Sequence, residues 1–282
     1  MMPPQAQTPT NKETISSRIK ARVKPAAGFA PLFHALYRIA LPAVIFVLVR
    51  LDIGIWLPLL VILLSKWRIF AVRPRFWPAN IRANAVDLMV GVSIVIFMFE
   101  SGSMALQAVW ATVYAVWLLF IKPSSSMLFV SLQAGIGQLF ALTALFMVAG
   151  KTLQDGFFGW TSLPIGAMVL LAGLACYLAA RHFFDSFSEP YAKMLAYVWG
   201  YFAAAATWVL GHLLVVYPDQ DGVVAHPTLL LSAIGYTLAA VYYLEHFEKL
   251  SRLVKRELLF LGGLVVFVLL ASLYYEGAHL IV

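Results

Sequence analysis

Residues 39–65 read IALPAVIFVLVRLDIGIWLPLLVILLS, an apolar run interrupted only by Arg50 and Asp52. How the chain passes that interruption decides its topology. One continuous helix buries both charges near the middle of a bilayer, at about 2.5–3.5 kcal/mol for each on insertion scales. It also carries Lys66, Arg68, Arg73, Arg75 and Arg82 to the side opposite the basic N-terminal tail. A tight hairpin turning near Arg50–Asp52 avoids both penalties and is the expected arrangement. Arg38 then sits near one end of the first span, where a long side chain can snorkel.

Outward from this hairpin the same kind of run recurs. Spans are expected at about 33–50, 51–66, 85–101, 103–121, 127–149, 163–183, 193–216, 228–246 and 258–277. Each is close to the length that crosses a bilayer as a helix. Membrane β-barrel strands are short and alternate in polarity, unlike these. The expected fold is therefore an all-α polytopic bundle of about nine transmembrane helices. Residues 1–30 form a polar basic tail, and 31–282 a single transmembrane domain. With the N-terminus cytoplasmic, only Arg50 and Lys151 of the twenty Lys and Arg residues fall outside. Short loops follow this positive-inside bias best, so the C-terminus is expected outside.

Composition agrees with that class. Of 282 residues, 62% are hydrophobic and 12% charged, with mean hydropathy +0.86. Soluble domains carry about 25% charged residues. The net charge of +7 lies beside apolar runs, where it orients spans and meets anionic headgroups at the cytoplasmic face. No nucleic-acid-reading motif accompanies it, so nucleic acid is not an expected partner. Lipids and further protein subunits are. Cys176 stands alone in an apolar run and forms no intramolecular disulfide or cysteine-based metal site. The expected location is a cell membrane of the bacterial plasma-membrane type.

Several segments carry more specific expectations. Ile15, Ile19 and Val23 share a face among five basic residues, a spacing that permits a short surface helix. An ordinary solvated tail accommodates them as well. Residues 71–84 mix arginines with Phe76 and Trp77 and suit the headgroup layer. Leu244, Phe247, Leu250, Val254 and Leu258 recur at helical spacing, so the eighth span is expected to run on past its membrane end. Small residues at Ala172, Cys176 and Ala180, and at Gly200 and Ala204, allow close helix packing of spans 6 and 7. Pro42 and Pro58 are candidate kinks. Ser124–Ser126 is a candidate cap for span 5, and Phe157, Phe158 and Trp160 an interfacial aromatic set.

The motifs that name an activity are missing. No lysine falls mid-span, so a retinal Schiff base has no attachment point. There is no nucleotide-binding loop and no H-E-x-x-H. The sequence assigns no cofactor. Topology gathers His212, His226, Glu276 and His279 toward the outer face as candidate catalytic groups, with Glu100 at another outer end. His212, His226, Asp219, Asp221 and His279 are the candidate metal ligands, since imidazole and carboxylate suit zinc or proton transfer. The same residue types are also ordinary polar groups at wet helix ends. An inner set, Arg181, His182, Asp185, Glu189, Glu245 and His246, is either a phosphate-binding group or solvated helix termini. Gln133 and Gln138 are the deepest amides, and tyrosines such as Tyr114, Tyr177, Tyr197, Tyr201 and Tyr236 lie within spans.

Three functions fit. One is a passive or accessory membrane component, such as a carrier of weakly polar or lipid-like solutes or a subunit of an assembly. A second is a membrane-embedded enzyme acting on a lipid or polyprenyl substrate at the outer His/Asp/Glu set. The third is an interaction protein acting through its basic inner loops.

Overall fold

The computed structural model describes residues 30–69, 71–120, 127–154, 162–212, 225–248 and 251–279. These residues are mainly helical, with no strand among them. The helices are α1 (Ala30–Arg50), α2 (Trp56–Ser65), α3 (Trp77–Ala83), α4 (Ala85–Glu100), α5 (Met104–Phe120), α6 (Met127–Gln154), α7 (Ser162–Ser186), α8 (Ala192–His212), α9 (His226–His246) and α10 (Arg252–His279). Four stretches are long and apolar enough to cross a membrane: Phe129–Gly150, Ile165–Ser186, Ala192–Gly211 and Pro227–His246. Counting α4 with the segment Pro74–Ala83 that precedes it, bent by 63°, gives up to five. This is fewer than the nine apolar runs, partly because some helices are short. Helix α2 has 10 residues, a length of about 15 Å against a hydrocarbon core of about 30 Å.

The chain does turn after Arg50. Asp52 (φ 50°) and Gly54 (φ 89°) adopt left-handed backbone, and α2 starts at Trp56. The Tyr37 hydroxyl donates to the Ser65 carbonyl at 3.3 Å. Residues on either side of the turn are thereby brought together, as a hairpin requires. Pro58 lies in the first turn of α2, where the missing N–H has no helical acceptor to lose, so it makes no kink.

Two cores result. Helices α1, α2, α4 and α5 bury Ile45, Ile62, Val90, Ile94, Met98 and Tyr114. Helices α6, α7, α8 and α9 bury Leu142, Phe146, Met168, Cys176, Ala203 and Leu231. Helix α4 also packs on α6 and α7. Phe97, Trp110 and Phe140 join α4, α5 and α6, with ring centroids 4.8–6.2 Å apart, a spacing favoured by edge-on aromatic contact. Helix α10 packs mainly on α9 and exposes Phe260, Leu261, Leu264 and Phe267.

Helices α7 and α8 make the most extensive pairing. A Cβ on Gly173 would stand 2.9 Å from the Ala204 Cβ, and one on Gly200 would stand 2.9 Å from the Gly173 carbonyl oxygen. Gly200 and Ala204, expected to pack span 7, do lie in this contact, but they meet Gly173, which stands outside the expected set of Ala172, Cys176 and Ala180 on span 6.

The expected continuation of the eighth span past its membrane end needs correction. Residues 244–258 are not one helix. Helix α9 ends at His246, Glu248 takes φ 54°, and α10 begins at Arg252. Ser251 Oγ accepts the Val254 N–H at 3.2 Å. That cap satisfies one orphan amide and starts a new helix, which outweighs the apolar periodicity. Residues 71–84 are themselves largely helical. After a 3₁₀ turn at Pro74–Phe76, Pro78 sits in the first turn of α3, the position proline tolerates best.

Candidate functional site

Contacts set α7 antiparallel to α8 (Gly173 on Gly200, Tyr177 on Tyr197) and α4 antiparallel to α5 (Phe97 on Trp110, Asp87 on Trp117), so the bundle has two ends. One end, here the basic end, gathers Lys66, Arg82, Asp185, Glu189, Lys193 and Glu245, all at or near helix termini. The other holds Arg50, Glu100, the last turn of α8 and the start of α9.

A cavity lies among α6, α7, α8 and α9, in the half of the bundle nearer the basic end. Its volume is about 650 Å³, inside the roughly 300–1,000 Å³ range of ligand pockets. It exists because α8 and α9 stand apart along this half, while Leu210, Ala225 and Leu230 join one core toward the opposite end. Small residues hollow out its walls: Ala134 and Gly135 on α6, Ala179 and Ala180 on α7, Gly235 and Ala239 on α9. Val198 and Phe202 on one flank and Leu238 on the other are exposed. The cleft is thus open along the side of the bundle between α8 and α9.

Its deep end is polar. Gln138 is only 6% exposed. Its Oε1 accepts from Trp199 Nε1 at 3.0 Å, and its Nε2 donates to the Leu231 carbonyl at 3.2 Å. One amide therefore ties α6 to α8 and α9, leaving one N–H and one lone pair uncommitted. Ser232 lines the same cavity, and its buried hydroxyl has no hydrogen-bond partner among the described residues. Native structures leave few such groups unpaired, so each points to an unfilled role.

Its mouth, at the basic end, is aromatic and acidic. Phe183, Phe184 and Phe187 pack edge-on around Tyr242, with centroids 5.1–5.8 Å from that ring. The Tyr242 hydroxyl donates to Glu189. His246 packs against Phe187 at 5.0 Å. Glu245 is exposed and lines the opening. Nearby, Asp185 receives Arg181 at 3.0 Å and Arg82 at 3.2 Å. The inner set named from sequence is thus divided. Arg181 and Asp185 pin α3 to α7, Glu245 lines the cleft, and Glu189 and His246 support its aromatic mouth through Tyr242 and Phe187.

The tyrosines do not all face inward. Tyr114 is 1% exposed, but Tyr201 is 79% and Tyr236 is 66% exposed. Tyr177 and Tyr197 stack at 4.8 Å between α7 and α8.

The outer candidates fall largely beyond what is described. His212 closes α8, His226 opens α9, and Glu276 and His279 lie in the last turns of α10. The side chains of these four, the residues Asp219 and Asp221, the tail 1–29, Ser124–Ser126, and Phe157, Phe158 and Trp160 lie outside the described set. Among the described residues no three His, Cys, Asp or Glu side chains converge as for a metal ion.

Sequence reasoning named Gln138 but not its partners, and it missed the aromatic mouth. The i, i+4 pair Phe183–Phe187 and the pair Tyr242–His246 were the available signal for that mouth. No family model, curated protein or solved structure matches this chain.

Proposed function

We propose that the protein is an integral component of a cell membrane that binds or passively carries a lipid-like molecule in the cleft between α8 and α9. The observation that carries this is the cleft itself, with an apolar body, a few polar groups and a side opening. A molecule already dissolved in the hydrocarbon layer enters such an opening without crossing water. Apolar pockets with few, fixed polar groups are the usual form of small-molecule sites.

The topology belongs to the same proposal. About nine apolar helices run back and forth, with the N-terminus cytoplasmic and the C-terminus outside. Support comes from the gathering of Lys66, Arg73, Arg75, Arg82, Arg181, Lys193, Arg252, Lys255 and Arg256 toward one end of the helices. At that end anionic headgroups are the natural partners. The short helix α3, with Phe76 and Trp77 exposed beside Arg75, suits the interface between headgroups and chains.

The test uses Gly135. A Cβ added there meets nothing within 4 Å and the residue lines the cleft, so Gly135→Trp places an indole at the cleft wall with no clash at its Cβ. Purified wild-type protein should retain long-chain molecules through detergent exchange, detectable by native mass spectrometry, and Gly135→Trp should not. Equal retention by both proteins sinks the proposal.

A further inference from the structure

The cleft is unequal along its length, and the inequality specifies what it holds. Ser232 and Glu245 both line it and stand thirteen residues apart on α9, which is about 20 Å along a helix. At the Glu245 end it meets a carboxylate and an aromatic ring set. At the Ser232 end it meets the Gln138 amide and an unpaired hydroxyl. Between the two, small and apolar side chains dominate.

Resting on the cleft as a lipid-binding site, we propose that its ligand is a long-chain molecule with one uncharged hydrogen-bonding group, a hydroxyl or carbonyl, seated between Gln138 and Ser232. The chain then runs toward the Glu245 mouth. Three observations converge on this. First, Gln138 has an uncommitted N–H after its bonds to Leu231 and Trp199, and it is held in place by both. It is a fixed donor in a low-dielectric site, the arrangement that makes a hydrogen bond specific. Second, the Ser232 hydroxyl lacks a partner and either donates or accepts. A hydroxyl ligand satisfies both groups at once, accepting from Gln138 and exchanging with Ser232. A carbonyl oxygen accepts from both. Third, no cleft-lining residue near Gln138 and Ser232 carries a formal charge. An ionised headgroup placed there is desolvated without a counter-charge, which is costly enough to exclude it. A pure hydrocarbon, conversely, leaves both polar groups unpaired.

The experiment compares three probes: a long-chain alcohol, the matching carboxylate and the matching alkane, each dibrominated mid-chain. Binding to the full chain in detergent is read as quenching of Trp199 fluorescence, taken as the difference from a Trp199→Phe protein. The alcohol should bind about tenfold tighter than the alkane, the difference expected of about one net hydrogen bond to a buried site. It should exceed the carboxylate by at least as much. Ser232→Ala, which leaves every Gln138 bond in place, should reduce the alcohol's advantage several-fold with alkane binding unchanged. Gln138→Leu should abolish the advantage. Equal binding of alcohol and alkane, tightest binding of the carboxylate, or an unchanged preference in Ser232→Ala overturns the inference while leaving a lipid-binding cleft intact. Failure of all three probes to quench Trp199, or Trp199 quenching that persists in Gly135→Phe, a cleft-blocking variant that adds no second indole, overturns the cleft as a binding site and this inference with it.

Discussion

Gly173 and Gly200 face each other across the α7–α8 contact so closely that a Cβ on either would stand within 3.0 Å of the other's carbonyl oxygen. Backbone rather than side chain blocks the way, so no rotamer change relieves the clash. In an apolar bundle, close approach supplies dispersion contacts that larger residues forfeit. Gly200→Val should therefore destabilise the fold by about 1–3 kcal/mol or more, the usual range for overpacking. Gly135→Val meets open space and should change stability little. Unfolding in mixed micelles by denaturing detergent measures both. Equal stability of the two variants contradicts this packing.

The α1–α2 hairpin predicts a distance. Tyr37 and Ser65 are joined by a hydrogen bond, yet a continuous helix would separate them by about 42 Å at 1.5 Å per residue. With Cys176 replaced by alanine, a Tyr37→Cys/Ser65→Cys protein should be linked internally by a short bis-maleimide. Failure to crosslink, with both thiols shown reactive singly, removes the hairpin. Gly54 offers a second check, since φ 89° strains any residue with a Cβ. Gly54→Val should cost about 1–3 kcal/mol.

How much of this was legible depended on sequence range. The hairpin was readable because its cause is local: two charges in an apolar run must reach a polar boundary, and Gly54 stands two residues on. On α8 the packing was readable from Gly200 and Ala204 at one-turn spacing, whereas the α7 residue they meet, Gly173, falls one position off the Ala172, Cys176 and Ala180 stripe. The break after α9 was misread because apolar periodicity continued through it, while the decisive signal was a single serine at the new N-cap. The cleft was not readable at all. It depends on α8 and α9 separating, and on Gln138 finding Trp199 and Leu231 from other helices. No window along the chain contains those three residues together.

Lys66 and Asp87 form an ion pair between the end of α2 and the start of α4, and Trp117 Nε1 donates to the same carboxylate at 3.0 Å. The pair is mostly buried, with side-chain exposures of 20% and 12%. Removing one partner leaves a desolvated charge, whereas removing both does not. Asp87→Leu should cost about 2–4 kcal/mol, with solvent at the partly exposed edge holding it below the fully buried limit. The double variant Lys66→Met/Asp87→Leu should recover at least half of that loss. A double-mutant cycle on unfolding free energy decides it, and simple additivity of the two single changes rules out coupling.

The proposed orientation makes the last prediction. Positive charge near span ends resists translocation, and the bias acts through short loops. The segment holding Lys66, Arg73, Arg75 and Arg82 lies at the same end as Arg181 and Lys193, because Arg82 reaches Asp185 directly. These groups must then share one side of the membrane whichever side it is. Single cysteines at Arg73 and Lys193, in a Cys176→Ala background, should label together with a membrane-impermeant maleimide only after the cells are opened. A cysteine at Asp52 should label in intact cells. Reversing the charge of Arg73, Arg75 and Arg82 to glutamate removes the inward bias of that loop and should produce mixed labelling. Labelling of Lys193→Cys in intact cells refutes the orientation. Labelling of Arg73→Cys and Lys193→Cys on opposite sides refutes both the orientation and the packing of α3 on α7.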